Sequence, residues 1–141
     1  ATMRTRRAVG LSCFLVLLGA ATARAAETNE AAAVQAAEAW LKLIDAGQYG
    51  TSWDEAASTF RKAVSRAIWE KQAAAVREPL GKVLSRKLAA KQLAHELPGA
   101  PDGTYVVLSF DTRFEHKERG RETVTMMLED GRFRGAGYFI R

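Results

Sequence analysis

Two histidines, His95 and His116, are the first side chains to weigh for chemistry, because imidazole is the usual acid–base group and metal ligand near neutral pH. With a hairpin centred on Ala100-Pro101, His95 faces Val106 and His116 lies opposite Ser85. That separates them by roughly ten positions, on the order of 30 Å at the rise of a strand. One metal ion cannot take both, so each is expected to be a solvated residue at a strand end. No HExxH, CxxC, GxSxG or glycine-rich phosphate loop is present. Asp111, Arg113, Glu115 and Thr125 share the polar face of a predicted strand pair. An acid beside a base can mark a site, and the same pattern also arises from cross-strand charge pairing on a solvated face. Asp45 and Asp54 flank the Gly47–Gly50 turn, Asp54 as a charge at a helix start. No convincing acid–base pair emerges. The expectation is a non-catalytic chain with no cofactor and no metal.

The aromatic residues are more suggestive. Trp40, Tyr49, Trp53, Phe60 and Trp69 fall in the first half of the chain, and Phe110, Phe114, Phe133 and Phe139 in the second. At helical and strand spacing such rings usually form core. If helices and sheet leave space between them, Trp40, Tyr49, Trp53, Phe60, Trp69, Phe110 and Phe114 are the candidate lining of an apolar pocket. Tyr105, Val107, Met127, Tyr138 and Ile140 alternate onto the opposite sheet face, more apolar than a solvated face needs. They form a candidate partner surface.

The elements that position these residues are helices followed by strands. Glu27 to Gly47 is Ala-rich, with Val34, Ala37, Leu41 and Ile44 at helical spacing beside Trp40, Asn29 as cap and Gly47 as stop. Ser52 and Glu55 spell a capping box, which predicts a short helix from Trp53 to Val64 with Ala56, Ala57, Phe60 and Val64 inward. Ser65 caps a third helix, Arg66 to Arg77, whose inward face is Ile68 or Trp69, Gln72 or Ala73, and Val76; Pro79 and Gly81 end it. Lys82 to Leu97 permits helix or strand, and strand is preferred because the next segment needs a partner. The alternation there runs through Leu84, Leu88, Ala90 and Ala94. Thr104 to His116 alternates cleanly, with Arg119-Gly120 as the following turn. Arg121 to Glu129 carries Val124, Met126 and Leu128 on one face, Asp130-Gly131 is a hairpin signal, and Arg132 to Ile140 closes the sheet. Pairing Phe110 with Met126 and Leu128 with Phe133 gives one continuous apolar face that includes Phe139, with Gly135 and Gly137 on the same side. The expected fold is α+β: three N-terminal helices packed on a curved four-stranded antiparallel sheet.

The chain has 141 residues, a length that fits one domain, and its 21 Lys and Arg against 16 Asp and Glu give a net charge of +5. Much of that excess lies at the start. Met3 to Arg7 is basic, Ala8 to Ala23 is an uncharged apolar run, and Ala23-Arg24-Ala25 is an A-x-A pattern, together the form of a secretory signal peptide. The run of 16 residues is short of the ~20 needed to span a bilayer. Residues 1–25 are therefore read as a signal peptide cleaved near Ala25, and residues 26–141 as a single domain. Loss of Arg4, Arg6, Arg7 and Arg24 leaves 17 basic residues against 16 acidic, a net of +1, which removes the main support for a nucleic-acid partner. Cys13 is the sole cysteine. It excludes an intramolecular disulfide framework, and its place inside the apolar run does not suit a lipid anchor. Contact with a membrane is expected only through the signal segment before cleavage.

Several stretches carry a resemblance: Ala37-Glu38-Ala39-Trp40-Leu41 to Asp45-Ala46-Gly47-Gln48-Tyr49; Ser52-Trp53-Asp54-Glu55-Ala56-Ala57; Phe60-Arg61-Lys62-Ala63-Val64-Ser65; Trp69; Arg77-Glu78-Pro79-Leu80-Gly81; Ser85-Arg86-Lys87; Leu97 to Val107; and the ending Gly137-Tyr138-Phe139-Ile140-Arg141. Together they resemble the bacterial family named domain of unknown function 4019, over almost the whole chain after residue 25. The resemblance implies secretion to the periplasm or envelope of a Gram-negative bacterium. It also implies a cone-like α+β architecture similar to the nuclear-transport-factor-2-like or cystatin-like group, and a strand after Arg77–Gly81. It carries no activity and no catalytic residues. The function expected from the sequence is an exported interaction module that binds a protein partner or a second copy of itself. The alternative is a binder of a small apolar ligand in an aromatic cone.

Overall fold

The structure, a computed structural model, describes residues 15–141, with side chains from Gly19 onward. Cys13 and the basic residues Arg4, Arg6 and Arg7 of the expected signal lie outside the described residues. Four helices, α1 (Leu15–Asp45), α2 (Tyr49–Asp54), α3 (Ser58–Ala63) and α4 (Arg66–Arg77), precede four strands, β1 (Val83–Ala94), β2 (Tyr105–Phe114), β3 (Lys117–Glu129) and β4 (Arg132–Ile140). The strands form one antiparallel sheet in the order β1-β2-β3-β4, and helices pack on it, an α+β fold. None of the described helices is long and apolar enough to cross a membrane.

α1 continues upstream of the expected start, so Asn29 sits inside the helix and does not cap it. Its buried face is Ala33, Ala37, Trp40, Leu41 and Ile44, all downstream of Ala25, while residues 19–25 are exposed. Gly47, at φ 74°, ends the helix: the Gln48 amide donates to the Leu43 carbonyl and the Gly47 amide to that of Ile44. That pair of bonds satisfies two carbonyls the helix would otherwise leave open.

The expected single helix from Trp53 to Val64 is two helices. The Ala57 amide donates to the Gly135 carbonyl on the edge of β4 at 2.8 Å, and Ala57 is extended. That contact breaks the helix between α2 and α3. Glu129 on β3 then accepts from the Ser58 amide and hydroxyl, both at 2.9 Å, which anchors the start of α3. Ser52 is therefore not a cap but a buried residue of α2, and Asp54 closes that helix instead of opening one. Ser65 does cap α4, accepting from the Ile68 amide. α4 buries Trp69, Ala73 and Arg77, so Ile68 and Val76 face outward.

Residues 83–94 form a strand, as expected, but with bulges after Val83 and after Leu88. These insertions put Arg86, Leu88, Lys91 and Leu93 opposite the inward residues Thr112, Phe110, Leu108 and Val106 of β2, and leave Leu84 exposed. The β2–β3 turn is Glu115-His116, not Arg119-Gly120. Gly120 lies within β3 against the Phe114 ring, where an added Cβ would sit 3.0 Å from a ring carbon. The register is displaced accordingly: Phe110 pairs with Glu122, and Met126 with Val106. The displacement is an even number of residues, so each side chain keeps its expected face.

The β3–β4 hairpin turns at Asp130-Gly131, both with positive φ, and pairs Leu128 with Phe133 as expected. A bulge at Ala136 then reverses the faces of the last residues of β4. Met126 pairs with Gly135 but Thr125 with Gly137. Tyr138, expected outside, turns inward opposite Val124, and Phe139, expected inside, is exposed opposite Thr123. One inserted residue exchanges the two sides of a strand whose side-chain period is two.

Candidate functional site

The aromatic residues meet in a packed cluster. The Trp40 and Trp69 rings stack with centroids 6.2 Å apart, and Phe60 meets both edge-on at 6.2 and 5.0 Å. Tyr138 meets Trp40 edge-on at 6.3 Å. Ser52 joins the two indoles: its carbonyl accepts from Trp40 Nε1 at 2.8 Å and its hydroxyl from Trp69 Nε1 at 2.9 Å. Gly135 is bare because Trp40 lies on it; an added Cβ would come within 2.4 Å of the indole. Phe110 and Phe114 are buried in the sheet. Trp53 and Tyr49 are half-buried against the margin of the core, and Trp53 donates to the Val64 carbonyl with Arg61 over its ring. The seven rings expected around a pocket do not line a common cleft.

Beside this cluster lies an ionic network that reaches into the core. Glu122 on β3 is 0% exposed. It accepts from Arg86 Nε at 2.7 Å and Nη2 at 3.1 Å, from the Thr112 hydroxyl at 2.5 Å, and from the Tyr138 hydroxyl. Arg86 also donates to both oxygens of Asp45 at the end of α1, at 2.7 and 2.9 Å. Arg77, only 4% exposed, donates to Asp45 at 2.8 Å and to the Tyr138 hydroxyl at 3.4 Å, and lies over the Phe114 ring at 5.1 Å. Its Nε has no hydrogen-bond partner among the described residues. Two guanidinium groups thus balance two carboxylates. Burial alone would raise the Asp45 carboxyl; hydrogen bonds and charge from Arg86, then Arg77, outweigh it and hold Asp45 below the usual carboxylate range. Burial pushes the Tyr138 phenol far up, and the Glu122 carboxylate adds to that. With both carboxylates enclosed by donors and the phenol locked as an acid, the network ties α1, α4, β1, β2, β3 and β4 together.

Of these residues, sequence reasoning finds Asp45 in another role and Tyr138 on the wrong face, and it misses Arg77, Arg86, Thr112 as a polar member, and Glu122. The signal is present. Glu122 shares the parity of Val124 and Met126, Arg86 that of Leu84 and Leu88, and Arg77 falls four residues after Ala73 and eight after Trp69. A charge in the apolar phase of an element is a charge directed at the core.

The other candidates are dispersed. Asp111 pairs with Arg121 at 2.7 Å on the outer sheet face with both side chains exposed. Glu115 accepts from the Lys82 amide. Arg113 is exposed, and Thr125 is half-buried opposite Val107. His95 and His116 are exposed and outside the strand pairing; Val106 faces Leu93, and Ser85 faces Arg113. Asp54 receives Arg66 at the surface. Among the described residues no three His, Cys, Asp or Glu side chains are grouped to hold a metal. The outer-face patch is also different from the one expected. Tyr105 is buried, its hydroxyl donating to the Pro101 carbonyl, while Val107 and Met127 are half-buried.

The apolar surface that does exist lies elsewhere. A groove of about 420 Å³ runs between α4 and the end of β4, lined by Trp69, Ala73, Val76, Tyr138, Phe139 and Ile140 among others. Val76 is 49% and Phe139 48% exposed, and Ile68, two turns before Val76 on α4, is 51% exposed. Against this geometry, a family model described as "Protein of unknown function (DUF4019)" matches residues 36–138, a span that includes the network from Asp45 to Tyr138. No curated protein matches the chain.

Proposed function

The chain belongs to the DUF4019 family, and from that premise we propose that it is an exported envelope or periplasmic domain that self-associates through the edge of β4 and the groove beside it. The observation that carries this reading is the contrast between the two sheet edges. β1 bears Lys87 and Lys91, with Lys82 just before it. Charged side chains, lysine above all, are what keep an exposed strand edge from pairing. β4 carries Arg132 and Arg134 at its start but no charge and no proline from Gly135 to Ile140, and α3 meets its edge at Gly135. The uncharged stretch continues beside an apolar groove whose rim residues Val76 and Phe139 are half-exposed. Unpaired strand edges of this kind pair with strands of another chain, and an edge that pairs with its own copy closes as a two-fold dimer.

Export rests on the sequence: the basic start, the apolar run and the A-x-A pattern. Among the residues of α1 whose side chains are described, the first buried one is Ala33, downstream of cleavage after Ala25. Sedimentation velocity of the full chain tests association. The expected result is a dimer that forms in the micromolar range and is lost in Phe139→Asp, with an unchanged melting temperature. A monomer at high micromolar concentration overturns it, as does a dimer indifferent to Phe139→Asp. A small apolar ligand retained in the groove of a monomer would replace this reading with the second expectation from the sequence.

A further inference from the structure

On the outer face of the sheet, away from the helices, Lys87 on β1, Asp111 on β2 and Arg121 on β3 form one cross-strand row. The row lines a cleft of about 570 Å³ near the β2–β3 turn, which Arg113, Glu118, Arg119 and Arg141 also line. Asp111 is taken by Arg121 at 2.7 Å. Lys87, Arg113, Arg119 and Arg141 have no ion-pair partner among the described residues, and Glu118 is the one acidic side chain in the cleft without a partner among them. Four unpaired cationic side chains therefore face a single unpaired carboxylate side chain across a concave surface of small-molecule size. A cluster of like charges around a concavity raises the local concentration of anions.

We propose that this cleft binds a soluble oligophosphate, a short chain of joined phosphate groups. Arginine forks suit phosphate oxygens, which they take two at a time. A ligand with several negative charges answers several cations on different strands, whereas a single phosphate reaches only part of them. The concavity favours a compact anion over a flat bilayer, which would touch only the rim.

Tripolyphosphate titrated calorimetrically into the full chain is the test. The expected result is saturable binding at low ionic strength that weakens at least tenfold at high salt, since exposed charges are screened there. The double variant Arg113→Gln, Arg119→Gln is expected to bind at least tenfold more weakly, and Lys87→Gln several-fold more weakly. Each keeps its melting temperature, because none of these side chains makes a native ion pair. The basic N-terminal residues are present in every variant, so the difference reports the cleft. Absence of saturable binding at low salt overturns the proposal, as does equal binding by the double variant. Inorganic phosphate bound as tightly as tripolyphosphate overturns it too. Binding to anionic phosphatidylglycerol vesicles without binding to tripolyphosphate overturns it in favour of a lipid surface.

Discussion

Arg86 and Glu122, on strands that are not neighbours in the sheet, are joined by two hydrogen bonds beneath the helices, at 2.7 and 3.1 Å. The same guanidinium holds Asp45 on α1. One side chain thus connects the last turn of the long helix to the far side of β2. Breaking a buried pair on one side leaves an uncompensated charge, which is strongly destabilising. Glu122→Gln is expected to lower unfolding stability by about 3 kcal/mol, read from urea denaturation. An unchanged midpoint would mean that the pair contributes little to the fold.

The network also sets the response to acid. Asp45 has a folded pKa below its ordinary 3.8, so the unfolded chain binds the proton first. Its contribution to stability is complete above the unfolded value and is lost as pH falls through the folded one. Asp45→Asn is expected to be less stable than the parent at pH 7 and to lose less additional stability below pH 4. Parallel stability–pH curves for the two proteins would contradict this.

Two nearby glycines on β4 separate packing from conformation. An added methyl at Gly135 meets the Trp40 ring at 2.4 Å, whereas at Gly137 the nearest atom is Thr125 Cβ at 3.6 Å. Gly135→Ala is expected to lose about 1–3 kcal/mol by overpacking and to shift tryptophan emission. Gly137→Ala is expected to be neutral within about 0.5 kcal/mol. Equal effects would contradict the placement of the Ala136 bulge between them.

Ser52 carries two indoles. Ser52→Ala removes the acceptor of Trp69 Nε1 but not the carbonyl that serves Trp40. A buried donor left without a partner costs about 1–3 kcal/mol, so thermal unfolding is expected to move down by several degrees. A neutral substitution would show that Trp69 finds another acceptor.

The helices-then-strands order, the strand at 83–94, the Ser65 cap, the Gly47 stop and the Asp130-Gly131 turn are all legible in the sequence, because each rests on local chemistry. The illegible features depend on single inserted residues and on distant contacts. The Ala136 bulge exchanges Tyr138 with Phe139; Gly135 and Gly137 on either side mark a bend, but not an inserted residue that reverses the faces beyond it. The split of α2 from α3 depends on a carbonyl of Gly135, far along the chain. Arg77, Arg86 and Glu122 are legible in principle as charges in apolar phase, but alternation traced through the apolar residues alone passes over the charged ones between them. The partner surface moves for the same reason: once Tyr138 faces inward and Tyr105 lies under its loop, the large apolar residues left outside are Val76, Phe139 and Ile68 around the groove and Leu84 on β1.

The β4 edge itself gives the most direct measurement: amide hydrogen exchange of the full chain at a concentration well below the association range and at one well above it. Protection at the Tyr138 and Ile140 amides, which alternate away from β3, is expected to rise with concentration while the Arg86 amide on the β1 edge stays unchanged. Equal exchange at both concentrations along β4, or a rise confined to β1, would contradict it.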